Sequence, residues 1–188
     1  MSTDTDYSTL LDLLIRLVQS QADQRIELGG EWLNDAQVLS ITLFRHLVSM
    51  QTLATCAIVE QDEIPTVFFV DHASVKVVAR AALETYLVFY YIFGCTDRSL
   101  SEFRHKTWQL GGLADRQEFH TSIAEHRAIL IAEKQKIARL WSEIESSPHI
   151  HAYTQKQRAK LLKGEWRIGK GWADLSAIAG FHAKYFSA

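Results

Sequence analysis

The sequence predicts an all-α fold: a single helical bundle of five or more helices, formed as one domain by residues 1–188. Three observations predict it. Apolar residues recur at the three- and four-residue spacing of a helix through most of the chain. Breakers are scarce, with proline at only two positions, Pro65 and Pro148, and nine glycines. Start and stop signals bracket the periodic stretches. Hydrophobic residues make up 47% and charged residues 22%, the proportions of a globular chain long enough to bury a core.

The elements follow in order. A first helix is expected from about Tyr7 to Leu28, where Leu10, Leu11, Leu14, Leu17 and Val18 recur and Gly29-Gly30 stops the run. A second starts after Asn34 or Asp35, either of which can cap it, and runs to about Glu60. Pro65 blocks a helix next, and TVFFV reads as a short strand or, preferably, an apolar loop tucked against the bundle. A third helix covers Asp71 to Phe93, with Gly94 placed to end it. A fourth opens on the box Ser99-x-x-Glu102 and carries Phe103, Trp108 and Leu110 before Gly111-Gly112 bends or breaks it. A fifth opens on Ser122-x-x-Glu125 and ends before Pro148. A short helix starts at Thr154, whose partner is Gln157. A glycine-rich loop and a last helix from about Ala173 complete the chain.

The stretch ARAALETYLVFYYIFG, residues 79–94, is the most apolar. Its uncharged run, Thr85 to Thr96, is 12 residues, and a membrane span needs about 20, so a core helix is expected and no membrane partner. Arg80 and Glu84 lie four apart on one face, and Lys76 extends the row. Buried charges must be paired. The expectation is therefore a buried Arg80–Glu84 pair, joined by a polar group such as His46 or His105. It either fixes helix register or lines a pocket for a small ligand. A surface pair is the remaining alternative.

The formal net charge of −2 hides an asymmetry. Residues 1–96 carry 5 Lys and Arg against 12 Asp and Glu, and residues 97–188 carry 15 against 10. The basic excess peaks in TQKQRAKLLKGEWRIGKGW, residues 154–172, with Lys156, Arg158, Lys160, Lys163, Arg167 and Lys170 against Glu165. Trp166 and Trp172 are interleaved. Cations neutralise phosphates and indoles can stack on bases, so RNA or another nucleic acid is the expected partner. Gly164, Gly169 and Gly171 would let backbone amides approach an anion. The alternative is a plain basic loop whose tryptophans anchor it to the core.

Other constellations are thin. His149-x-His151 lacks a further ligand nearby, so no metal is expected, and nothing calls for a cofactor. No nucleophile elbow, Cys–His signature or dinucleotide fingerprint occurs, and the sequence does not decide whether the protein is an enzyme. The acidic, polar start MSTDTDYSTL is no secretory signal. Cys56 and Cys95 read as buried, reduced thiols of a cytoplasmic protein, with a disulfide between them as the alternative. The ending FHAKYFSA reads as a helix under way that either docks to its end or continues in a longer chain. Wide apolar coverage on the third and fifth helices makes a homodimer a further expectation.

Arg80-x-x-x-Glu84 with the following aromatics Tyr86, Phe89, Tyr90 and Tyr91, then Trp172, Ala179-Gly180 and Tyr185, resembles a family of all-helical bacterial proteins known as a domain of unknown function. The resemblance spans roughly Thr66 to the end. That family is in turn distantly similar to the HEPN superfamily of helical ribonucleases and nucleotide-binding domains. It implies a HEPN-like, nucleic-acid-associated protein of the bacterial cytoplasm. The family pattern continues past an aromatic-x-Ser to a His, which this sequence lacks after Ser187. The HEPN ribonuclease signature is an Arg, four to six intervening residues, then a His. Arg98 and His105 fit that spacing, though about one such match arises by chance in a chain of this Arg and His content.

Overall fold

Helical spacing of apolar residues dictates most of the architecture, and the one exception is a hairpin. The computed structural model describes residues 3–61 and 64–181. Among them are seven α-helices and one two-stranded sheet: α1 (Thr3–Ser20), α2 (Asn34–Ala54), β1 (Ala57–Gln61), β2 (Ile64–Phe69), α3 (His72–Phe93), α4 (Arg98–Gln117), α5 (Ala124–Glu145), α6 (Gln155–Leu162) and α7 (Trp172–Ile178). The chain forms a mostly helical fold that divides into two compact units, residues 1–89 and 90–188, with the division inside α3. No described helix is long and apolar enough to cross a membrane. The ending from residue 182 onward lies outside the described residues.

In the first unit α1 and α2 are tied by the Tyr7 hydroxyl, which donates to the Leu47 carbonyl at 2.8 Å, and by Gln51 Nε2, which donates to Ser8 Oγ at 3.3 Å. Leu11 and Val18, two turns apart, are buried, while Leu10, Leu13 and Leu17 face solvent. Helix α1 stops at Ser20, short of the expected Leu28. Asn34 and Asp35 lie inside α2, whose start is a 3-10 turn at Glu31–Leu33. Helix α2 ends at Ala54 because the β-branched run beyond it pairs instead of coiling. Ile58 faces Phe68 and Val59 faces Val67 in an antiparallel hairpin. The segment expected as a tucked loop is thus a strand, and the described side chains of both strands are exposed. Pro65 falls where the register slips, so its missing N–H interrupts no regular pairing. Asp71 caps α3, accepting from Ser74 N at 3.0 Å and Ser74 Oγ at 2.6 Å. Those bonds hold its carboxyl below the usual range.

The second unit has the denser core. Phe103, Leu110, Ile144, Ile150, Leu161 and Ile168 cluster together, with Leu100, Ile137, Trp141 and Tyr153 packed around them. The true N-cap of α4 is Asp97, whose carboxylate accepts from Leu100 N at 3.2 Å, so Ser99 lies within the helix. Gly111-Gly112 does not break α4. Helices α4 and α5 are riveted by Arg116, which donates to Glu133 from Nε at 2.9 Å and lies 2.8 Å from it through Nη2. Lys106 adds a bridge to Glu143 at 3.1 Å. Ser122 does not cap α5, which starts at Ala124 without a side-chain cap.

Candidate anion-binding loop

Thr154 starts α6 with the expected capping box: its hydroxyl accepts from Gln157 N and the Gln157 side chain accepts from Thr154 N at 2.9 Å. This fixes the helix phase. Lys156, Lys160 and Lys163 then recur at i, i+4 and i+7, which places them on one stripe. Arg158 points elsewhere and donates to the Tyr153 carbonyl at 3.0 Å. Lys160 reaches Glu165 at 3.0 Å. Lys156, Lys163 and Lys170 enter no ion pair among the described residues.

Past α6 the chain turns tightly back against α4. Gly164 takes φ +93, a left-handed conformation that other residues adopt only with strain. Its carbonyl passes so close to α4 that a Cβ on Gly111 would sit 2.8 Å from it and 2.8 Å from Trp166 Cδ1. Gly111 is therefore a crossing point, which is why the glycine pair does not mark a break. Trp166 is half-buried beneath a ladder of rings. Its centroid lies 5.7 Å from that of Tyr91 and 6.4 Å from that of Trp172. Cations close the ladder at both ends: Arg104 sits 4.4 Å over Tyr91 and Arg167 sits 4.6 Å over Trp172. Arg104 also donates to the Tyr91 carbonyl at 2.9 Å. Burial pushes the Tyr91 phenol up to about 12, and Arg104 offsets only part of that. Burial raises the Tyr153 phenol as well.

Residues 163–170, with Asp115 of α4, line a cavity of about 340 Å³. Three of the six cations singled out from the sequence, Lys163, Arg167 and Lys170, are on its wall. Trp166 lines it too, but its ring is already engaged by Tyr91 and Trp172. The site is thus suited to bind an anion by charge and amide donors more than by open indole faces. Asp115 and Glu165 supply two acceptors on the same wall.

The other sequence candidates fall elsewhere. Arg80 and Glu84 do pair, Nε to Oε1 at 3.0 Å, but the Arg80 side chain is 66% exposed and Glu84 31%. The expected deep pair is a solvated one because Arg80 lies in the N-terminal half of α3, before the stretch in which Ala82, Leu87, Val88, Tyr91 and Ile92 are buried. Arg98 is turned to Glu102 at 3.2 Å, and His105 is buried between Phe93 and Trp108, so the two are not assembled as a site. His149 bonds Ser99 Oγ at 3.0 Å, and no group of three metal-ligating side chains occurs among the described residues. Both cysteines are free; Cys56 is exposed and Cys95 half-buried, because the α2–β1 and α3–α4 connections that hold them are surface segments. Asp115 escaped the sequence reading, since only the crossing of the loop over α4 brings it to the cavity.

Comparisons with protein-family models, with curated proteins and with solved structures return no match.

Proposed function

We propose that this protein is a nucleic-acid-associated helical module that grips the phosphates of single-stranded RNA through residues 154–172. One observation carries the reading: the Lys156–Lys160–Lys163 stripe of α6 runs on into a cavity walled by Arg167 and Lys170. A strand laid along it meets successive cations at about one helical turn's spacing. The HEPN-like resemblance is in keeping with an RNA partner, in a bacterial cytoplasm where the exposed Cys56 thiol stays reduced. With Arg98 held by Glu102 and His105 buried, the module binds without cleaving through that pair. The test is fluorescence anisotropy of a labelled single-stranded RNA. Lys163→Glu with Lys170→Glu should weaken binding at least tenfold at low salt; unchanged affinity sinks the reading.

A second reading rests on a different observation. Ile58, Val67 and Phe68 of the hairpin and Leu10 and Leu17 of α1 are exposed, Phe68 to 64%. Exposed apolar residues on unprotected strands favour association. This supports a non-catalytic interaction module that forms a homodimer. Light scattering decides it: a monomer at high concentration, unaffected by Phe68→Lys, disposes of the idea.

A further inference from the structure

The cavity's backbone carries more information than its charge. Two hydrogen-bonded turns follow one another. In the first, Ile168 N donates to the Glu165 carbonyl at 3.0 Å, and the central residues Trp166 and Arg167 do not have positive φ. In the second, Lys170 N donates to the Arg167 carbonyl at 3.2 Å, and both central residues are left-handed, Ile168 at φ 50 and Gly169 at φ 80. A β-branched residue in that region is a true outlier. Ile168 is held there because its side chain is buried in the core cluster.

The strained alternation has a consequence for donors. A right-handed residue followed by a left-handed one gathers successive N–H groups into an anion-binding concavity. Arg167 followed by Ile168 is such a pair. The N–H groups of residues 163–166, 168, 170 and 171 are all bonded within the protein. Those of Arg167 and Gly169 donate to nothing among the described residues. Two undirected amides thus share a cavity wall with Lys163, Arg167 and Lys170.

We infer that this cavity holds a phosphomonoester carried on a nucleoside, its phosphate on the Arg167 and Gly169 amides and the three cations. A bare phosphate would leave most of about 340 Å³ empty, a volume in the range of small-molecule sites. Asp115 and Glu165, which would repel a second phosphate, accept from the hydroxyls or amine of a sugar and base. Glu165 is in turn restrained by Lys160. The nucleotide is either free or the phosphorylated end of a strand. The strand form rests on the RNA-binding reading; the free form does not.

The experiment compares labelled single-stranded RNAs bearing a 5′-phosphate, a 3′-phosphate or neither, with adenosine monophosphate and inorganic phosphate as competitors. One phosphorylated end should bind at least tenfold more tightly than the unphosphorylated strand. The mononucleotide should compete more strongly than inorganic phosphate, and Lys170→Gln should cut the end preference at least fivefold while the circular dichroism spectrum is unchanged. Equal, salt-sensitive affinity for all three RNAs, with no competition by mononucleotide, overturns the inference and leaves the RNA reading standing. Mononucleotide binding without RNA binding overturns the RNA reading and supports the inference in its free form. Competition by inorganic phosphate equal to that of the mononucleotide overturns the nucleoside part.

Discussion

Replacing Gly111 by alanine should destabilise the second unit, and replacing its neighbour Gly112 should not. A Cβ at position 111 would stand 2.8 Å from the Gly164 carbonyl and 2.8 Å from Trp166 Cδ1, both held in place by the loop and the ring ladder. Such overpacking costs about 1–3 kcal/mol. Removing a glycine from a helix interior returns about 0.5–1 kcal/mol, so the net loss for Gly111→Ala is about 1–2 kcal/mol. A Cβ at Gly112 meets nothing within 4 Å, so Gly112→Ala should gain the helix term, about 0.5–1 kcal/mol. Denaturant unfolding followed by tryptophan fluorescence reads the difference, since Trp108, Trp141, Trp166 and Trp172 all lie in the second unit. Gly111→Ala should also lower RNA affinity by displacing the cavity wall. The reasoning fails if Gly111→Ala is as stable as Gly112→Ala.

The rivet between α4 and α5 should respond unequally to its two ends. Glu133 is 12% exposed and Arg116 53%, so Arg116→Ala strands a nearly buried carboxylate and should cost about 2–4 kcal/mol. Glu133→Gln leaves a guanidinium that water can reach and should cost clearly less; equal losses in thermal unfolding would contradict the assignment. Tyr91 should make the fold alkali-sensitive. Its folded pKa of about 12 lies above the unfolded value near 10, so the protonated form is favoured in the native state. Its contribution is complete below pH 10 and is lost as pH rises through about 12, on the order of 2 kcal/mol. Tyr91→Phe should flatten stability across that window, and an unchanged slope would refute the burial argument.

Helices announced themselves where local chemistry and tertiary packing agree. Thr154 and Gln157 form the capping box that their spacing implies, and Asp71 and Gly94 bound α3. Legibility failed where distant contacts decide. The apolar run around Phe68 has no clean alternation, and only its pairing with β1 makes it a strand. Gly111-Gly112 has the look of a breaker until the loop at Gly164 is seen crossing it. The spacing of Arg80 and Glu84 gave their contact correctly, but spacing within one helix says nothing of how deeply that part of the helix is buried. The cations of the candidate site were visible as composition. The left-handed Ile168 and the amides it exposes were not, because a conformation forced by core packing leaves no local mark.

The most direct test of the central claim is the salt dependence of single-stranded RNA binding by the unmodified protein. Each phosphate contact contributes a slope of about −0.7 to log K against log salt for single strands. Engagement of three to six cations predicts a slope between about −2 and −4, reduced by roughly 1.4 when Lys163 and Lys170 are both changed to Gln. A slope near zero, or a slope that the double variant leaves unchanged, would contradict the account.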